Sequence, residues 1–231
     1  MQEVYRNELK YCISLTEAMI IKSGLEAFMK PDSHNRENGY MVRSLYFDTL
    51  FDTDFEDKVN GYDNRQKIRL RIYDADSNFA KLELKEKTGG RQRKRSITIS
   101  RKEAQLMTSG DYSFLCHREE PLAIWLYTFM VSRNYRPKCI VEYNRQAYYA
   151  EQNDIRVTID SDLRATEASF SLFDPNLSVY PVSNPGEVTL EVKYNNFLFT
   201  YIKNILQQAD RMQISNSKYC RARMITKRGR R

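Results

Sequence analysis

Cations set at every second position carry most of the chemistry in this sequence. Lys67-Ile-Arg-Leu-Arg-Ile-Tyr73 places Arg69 and Arg71 against Ile68, Leu70 and Ile72, and Ala80-Lys-Leu-Glu-Leu-Lys-Glu-Lys87 sets Lys81, Glu83 and Lys85 against Leu82 and Leu84. Lys94, Ser96 and Thr98 alternate with Ile97 and Ile99 in the same manner, and Glu8 and Lys10 alternate with Leu9, Tyr11 and Ile13. Arg156, Glu191 and Lys193 occupy similar places in Ile155–Asp160 and Glu187–Lys193. A period of two belongs to β-strands, so each segment has one aliphatic and one charged face. Arg offers a planar fork for bidentate phosphate contact and Lys a compact charge. A mixture of both suits a row of phosphoryl groups.

These faces need a frame. Strands are expected at Tyr5–Ile13, Tyr40–Phe47, Lys67–Tyr73, Ala80–Lys87, Lys94–Ser100, Lys138–Tyr149, Ile155–Asp160 and Glu187–Lys193. Ser14 with Glu17 has capping-box spacing and predicts a helix to Phe28 carrying Ile20, Ile21, Leu25 and Phe28; Ser100 with Glu103 predicts another. Pro121–Arg133 carries a wide stripe of Leu122, Ile124, Trp125, Leu126, Phe129 and Met130, and helices are also expected over Phe197–Gln208 and after Ser217. Phe170–Pro185 reads as a long loop and Lys227–Arg231 as a frayed tail. Successive strands with short turns favour an antiparallel sheet. The expected class is α+β, an antiparallel β-barrel with surrounding and capping helices.

The helical stripes must be buried, and the aliphatic strand faces are where to bury them. The charged faces are then left for an interior or for water. For any single strand a solvated face explains the alternation. Taken together, so many like charges facing a common centre require a polyanion or counterions. Glu8, Glu83 and Glu191 are either ion-pair partners for those cations or ligands for Mg²⁺ or Mn²⁺, hard ions that share phosphate oxygens. Glu191 is the preferred metal ligand.

At 231 residues the chain is long enough for one domain spanning 1–231. No stretch approaches the roughly 20 apolar residues of a membrane helix, and Met1–Lys10 lacks an apolar secretory segment, so a cytoplasmic location is expected. The net charge of +7 points to an anionic partner without choosing among RNA, phosphate chains and acidic lipid. Cys12, Cys116, Cys139 and Cys220 are scattered, and with only His34 and His117 to join them a zinc site is not expected. Gly89-Gly90 lacks the Walker lysine spacing. Sixteen tyrosines suggest base stacking, but no RNA-recognition signature surrounds them and nucleic acid is not an expected partner.

In order and spacing, Glu8-Leu-Lys10, Ser44-Leu-Tyr-Phe-Asp48, Arg69-Leu-Arg71, Glu83-Leu-Lys85, Lys94, Tyr143-Asn-Arg145, Arg156-Val-Thr-Ile-Asp160, Leu190-Glu-Val-Lys193 and Ser217-Lys218 resemble the triphosphate tunnel metalloenzymes. Within them the likeness is to the polymerase domain of the vacuolar transporter chaperone complex. The resemblance implies a tunnel in which Lys10, Arg69, Arg71, Lys85, Lys94, Arg145, Arg156 and Lys218 contact phosphates, Tyr143 and Ser217 add hydrogen bonds, and Glu191 binds the metal. It implies transfer of the terminal phosphoryl group of ATP to polyphosphate; for that reaction Arg69 and Arg71 are expected on the γ-phosphoryl group and Lys10 and Lys85 on its neighbours. Hydrolytic members begin Glu-x-Glu-x-Lys, whereas this chain has Arg6-Asn-Glu8-Leu-Lys10 and lacks one carboxylate. A triphosphatase and a non-catalytic polyphosphate-binding module remain the alternatives.

Overall fold

The computed structural model describes residues 6–89, 91–207, 212–213 and 217–228. In chain order the elements are β1 (Arg6–Ser14), α1 (Leu15–Phe28), β2 (Lys30–Pro31), β3 (Tyr40–Asp48), α2 (Thr53–Val59), β4 (Arg65–Ile72), β5 (Phe79–Thr88), β6 (Arg91–Ser100), α3 (Arg101–Thr108), α4 (Pro121–Ser132), β7 (Arg136–Ala150), β8 (Ile155–Thr166), β9 (Tyr180–Pro181), β10 (Glu187–Asn195), α5 (Thr200–Leu206), β11 (Met212–Gln213) and α6 (Lys218–Arg228). The class is α+β with antiparallel pairing. The described residues fall into two compact units, one drawing on 1–41, 143–163 and 183–216, the other on 42–142, 164–182 and 217–231.

In the first unit β1 pairs with β10 and β10 with β8. The aliphatic faces of these strands supply Ile13, Val157, Ile159, Leu190 and Val192 to a core completed by Ile21 and Leu25 of α1 and Ile202 and Ile205 of α5. Each such side chain contributes about 1.5–3 kcal/mol by leaving water. The capping box forms as expected: Ser14 Oγ accepts from the Glu17 amide at 3.2 Å and Glu17 Oε2 accepts from the Ser14 amide at 2.7 Å. The buried stripe of α1 is Ala18, Ile21 and Leu25, so Ile20 and Phe28 are exposed rather than part of the core. Gly24 lets α5 approach, since a Cβ there would lie 2.9 Å from Ile205 Cγ2.

The second unit contains the meander β3-β4-β5-β6. Ile68, Leu70, Ile72, Leu82, Leu84 and Ile99 form its buried aliphatic face. Ser100 and Glu103 cap α3 as the spacing predicts. On α4 the buried residues are Ala123, Leu126 and Met130, while Ile124 is exposed, so the stripe is narrower than the sequence suggests. Asp48 anchors α2, with Oδ1 accepting from the Asp54 amide at 2.9 Å and Oδ2 from the Phe55 amide at 3.0 Å.

The strands run longer than their alternation alone predicts: β6 starts at Arg91, β7 spans Arg136–Ala150 and β8 continues to Thr166. Ladder hydrogen bonds extend a strand where side-chain patterning has ended. The two-residue strand β11 follows β10, beyond the strands that the alternation predicts. Helix α5 starts at Thr200, later than expected; Lys227 and Arg228, expected in a frayed tail, continue α6, and Tyr5, Gly90, Gln208 and residues 229–231 lie outside the described residues.

Candidate functional site

In the first unit the face opposite the core carries the charge. Glu8 stands across from Lys193 and Lys10 across from Glu191 on β1 and β10. On the other side of β10, Glu191 faces Thr158 and Lys193 faces Arg156. The result is two crosswise rows, Lys10-Glu191-Thr158 and Glu8-Lys193-Arg156. Lys10 Nζ lies 2.6 Å from Glu8 Oε1 and 3.5 Å from Glu191 Oε2, and Lys193 pairs with Glu191 Oε1. Burial alone would lower the Lys10 pKa, but Glu191 and Glu8 outweigh it and raise the value. Lys10 is therefore a fixed cation at neutral pH.

Arg145 is committed within the same unit. Its Nε and Nη2 donate to the two oxygens of the buried Asp160, each at 2.7 Å, and its guanidinium lies 5.3 Å from the centre of the buried Tyr143 ring. Burial disfavours the Arg145 charge, yet Asp160 holds its pKa well above the usual value. Arg156 Nη2 donates to Asp32 Oδ2 at 2.9 Å. Both arginines have part of their donor capacity already used.

The second unit repeats the design around one carboxylate. On β4 and β5, Arg71 faces Lys81, Arg69 faces Glu83 and Lys67 faces Lys85. On β5 and β6, Glu83 faces Ser96 and Lys85 faces Lys94. The buried Glu83 receives Arg69 Nη2 at 2.7 Å, Arg71 Nη1 at 3.9 Å and Lys94. Burial pushes its pKa up, but Arg69, Arg71 and Lys94 together pull it down to about 2. Arg69 Nη1 donates to Tyr46 Oη at 3.0 Å, Arg71 Nε to Ser44 Oγ at 3.3 Å and Lys81 Nζ to Thr98 Oγ1 at 2.6 Å.

Ser217 takes its place through a residue that the sequence reading passed over. Lys67 Nζ donates to Ser217 Oγ at 2.7 Å, and the amide of Cys220 donates to the same oxygen at 3.3 Å, which seats the start of α6 with Lys218 next to it. Lys67 has the same parity as Arg69 and Arg71, so the signal was present in the strand itself. Tyr46 and Ser44 were also missed as supports; both lie in Ser44-Leu-Tyr-Phe-Asp48, where the aliphatic neighbours conceal their role.

Among the described residues no group of three or more His, Cys, Asp or Glu is arranged to hold a metal ion. Of the cysteines, Cys139 and Cys220 are buried. No described helix is long and apolar enough to cross a membrane.

The VTC domain family model matches residues 5–227. A Bacillus halodurans protein assigned to the adenylate cyclases has a similar structure, with TM-score 0.51 and 14% identity over 91% of this chain and 93% of its own. A Hippeastrum protein assigned to the adenylyl cyclases, with a dominant triphosphatase activity, matches with TM-score 0.52 and 13% identity over 94% of this chain and 96% of its own. At such identities the likeness shows a shared fold. No curated protein shows significant sequence similarity to the chain.

Proposed function

We propose that this chain, which belongs to the VTC domain family, is a phosphotransferase that moves the terminal phosphoryl group of ATP onto a polyphosphate chain. The observation that carries this reading is the sharing of the buried Glu83 by Arg69, Arg71 and Lys94. Three cations answered by one carboxylate, with Lys81 and with Lys67 and Lys85 in the flanking rows, make a surface that favours an anion of high charge density.

Phosphoryl transfer needs alignment of the reacting oxygens and neutralisation of the charge on the transferred group. In the second unit Arg69 and Arg71 hold the γ-phosphoryl oxygens and Lys67 and Lys85 neighbouring phosphates, and in the first unit Lys10 is a phosphate contact of its own. Tyr46, Ser44 and Ser217 set the positions of Arg69, Arg71 and Lys67, so little reorganisation of these three accompanies the reaction. The acceptor is a phosphate oxygen that is already ionised, and no side chain has to take its proton. The transfer breaks the β–γ anhydride of ATP, forms one new anhydride on the chain and releases ADP.

Glu191 is the residue that would hold Mn²⁺ or Mg²⁺. The donor set fits, since a single hard carboxylate beside phosphate-binding cations is how such ions are commonly taken up together with substrate. A bound ion would supply further charge neutralisation on phosphoryl oxygens. Arg6 at the place where hydrolytic relatives carry a carboxylate favours transfer over two-metal hydrolysis.

The test is incubation with ATP and Mn²⁺, with products separated by chain length. A ladder of lengthening chains that is lost in Arg69→Ala supports transfer. Orthophosphate without a ladder would make the protein a triphosphatase, and intact ATP with tight polyphosphate binding would make it a binding module.

A further inference from the structure

Four buried side-chain atoms among the described residues lack a hydrogen-bond partner: Asp52 Oδ1, Glu167 Oε1, Arg223 Nε and Thr158 Oγ1. The first three belong to one ion-pair cluster, in which Asp52 Oδ1 lies 3.0 Å from Lys138 Nζ and Glu167 Oε1 lies 2.8 Å from Arg223 Nη1. Thr158 Oγ1 has no such compensation, although the residue is only 3% exposed. Leaving a buried hydroxyl unpaired costs stability, and an orphan of this kind in a native fold calls for an explanation.

Its position supplies one. Val157 and Ile159 point into the core of the first unit, so Thr158 lies on the opposite, charged face of β8. There it stands directly across the ladder from Glu191, in the row that continues to Lys10. Glu191 is itself buried, with its oxygens held by Lys10 and Lys193. Ammonium groups on flexible stems can leave a carboxylate for an arriving phosphate. A hydroxyl cannot repel a cation, and its lone pairs are hard donors. A threonine or serine hydroxyl combined with one carboxylate is also the protein share of the Mg²⁺ site in P-loop nucleotide hydrolases.

Resting on the reading of Glu191 as metal ligand, we infer that Thr158 is a second protein ligand for the divalent ion, its hydroxyl kept without a protein partner for that purpose. The site is a carboxylate-hydroxyl pair on adjacent strands, completed by phosphate oxygens and water. The hydroxyl gives the chain one more oxygen donor where a second acidic residue would weaken the phosphate site by repulsion.

The experiment measures Mn²⁺ affinity by electron paramagnetic resonance with tripolyphosphate present, in the wild type and in Thr158→Val, Thr158→Ser and Glu191→Gln. Valine is close in shape and removes only the hydroxyl. Thr158→Val is expected to weaken Mn²⁺ binding about tenfold or more, to leave metal-free tripolyphosphate affinity unchanged, and to unfold at the same or a higher temperature than the wild type. Thr158→Ser is expected to retain the affinity. Wild-type Mn²⁺ affinity in Thr158→Val, with loss in Glu191→Gln, would overturn the role of Thr158 alone. Unchanged affinity in both variants would overturn the metal reading of Glu191 as well. Parallel loss of metal-free tripolyphosphate binding in Thr158→Val would overturn the inference by placing the hydroxyl on phosphate.

Discussion

Glu83 and Arg69 stand opposite one another on β5 and β4, with Arg69 Nε donating to Glu83 Oε2 at 2.7 Å. The carboxylate keeps like charges together that would otherwise repel, and it does so from a buried position. Removing one partner of a fully buried pair costs about 3–5 kcal/mol.

Glu83→Gln should lower stability by less than that, roughly 1–3 kcal/mol, because the Lys94 side chain is 51% exposed and water screens it. Thermal unfolding measures the loss. Tripolyphosphate should then raise the unfolding temperature of Glu83→Gln more than that of the wild type, since the anion takes over the missing negative charge. Equal gains in the two proteins would contradict the assignment of these cations to phosphate. The folded pKa of Glu83 lies below its ordinary value of 4.5, at about 2. Its contribution is therefore present above pH 4.5 and lost as pH falls through about 2.

Asp54 gives the opposite pH dependence. Burial, with Asp48 adding repulsion, pushes its pKa from 3.8 up to about 8. Tyr135 Oη donates to both Asp54 oxygens, at 2.9 and 3.0 Å, and Asp57 and Lys67 also bear on it. The folded state thus holds a proton that the unfolded chain gives up, and stability from this group is complete below pH 3.8 and lost as pH rises through about 8. Asp54→Asn should flatten the decline in unfolding temperature between about pH 5 and 8. A wild type whose stability rises over that interval in proportion to the presence of Asp54 would contradict the assignment.

Lys67 is among the cations proposed to bind phosphate, in spite of its hydrogen bond to Ser217. Lys67→Met should weaken tripolyphosphate binding roughly tenfold, the value of one charge-assisted hydrogen bond. Isothermal titration reads the change directly. Ser217→Ala should weaken binding less, because it frees the Lys67 ammonium while removing one hydroxyl donor. Undiminished affinity in Lys67→Met would make Lys67 only an anchor for α6.

The strand faces were legible because a period of two is a local property: Lys67 to Tyr73 and Ala80 to Lys87 fix their own parity, and the register Arg69 with Glu83 follows once the turn near Asp76–Asn78 forms. Both capping boxes were equally local. What the sequence did not disclose depends on tertiary partners. Exposed Ile20 and Ile124 share a helix with buried neighbours and differ only in what packs on them. The binding of Arg145 by Asp160 and the isolation of the Thr158 hydroxyl are relations across a ladder, invisible before the strands are paired.

The most direct measurement of the central claim is the phosphorus mass balance, followed by ³¹P magnetic resonance with ATP, Mn²⁺-loaded protein and a short polyphosphate acceptor, paramagnetic ion being chelated before each spectrum. ADP and the mid-chain phosphate signal are expected to rise together, one ADP for each phosphoryl group added, while orthophosphate stays at its starting level. ADP accompanied by an equal amount of orthophosphate, with no growth of the mid-chain signal, would contradict it.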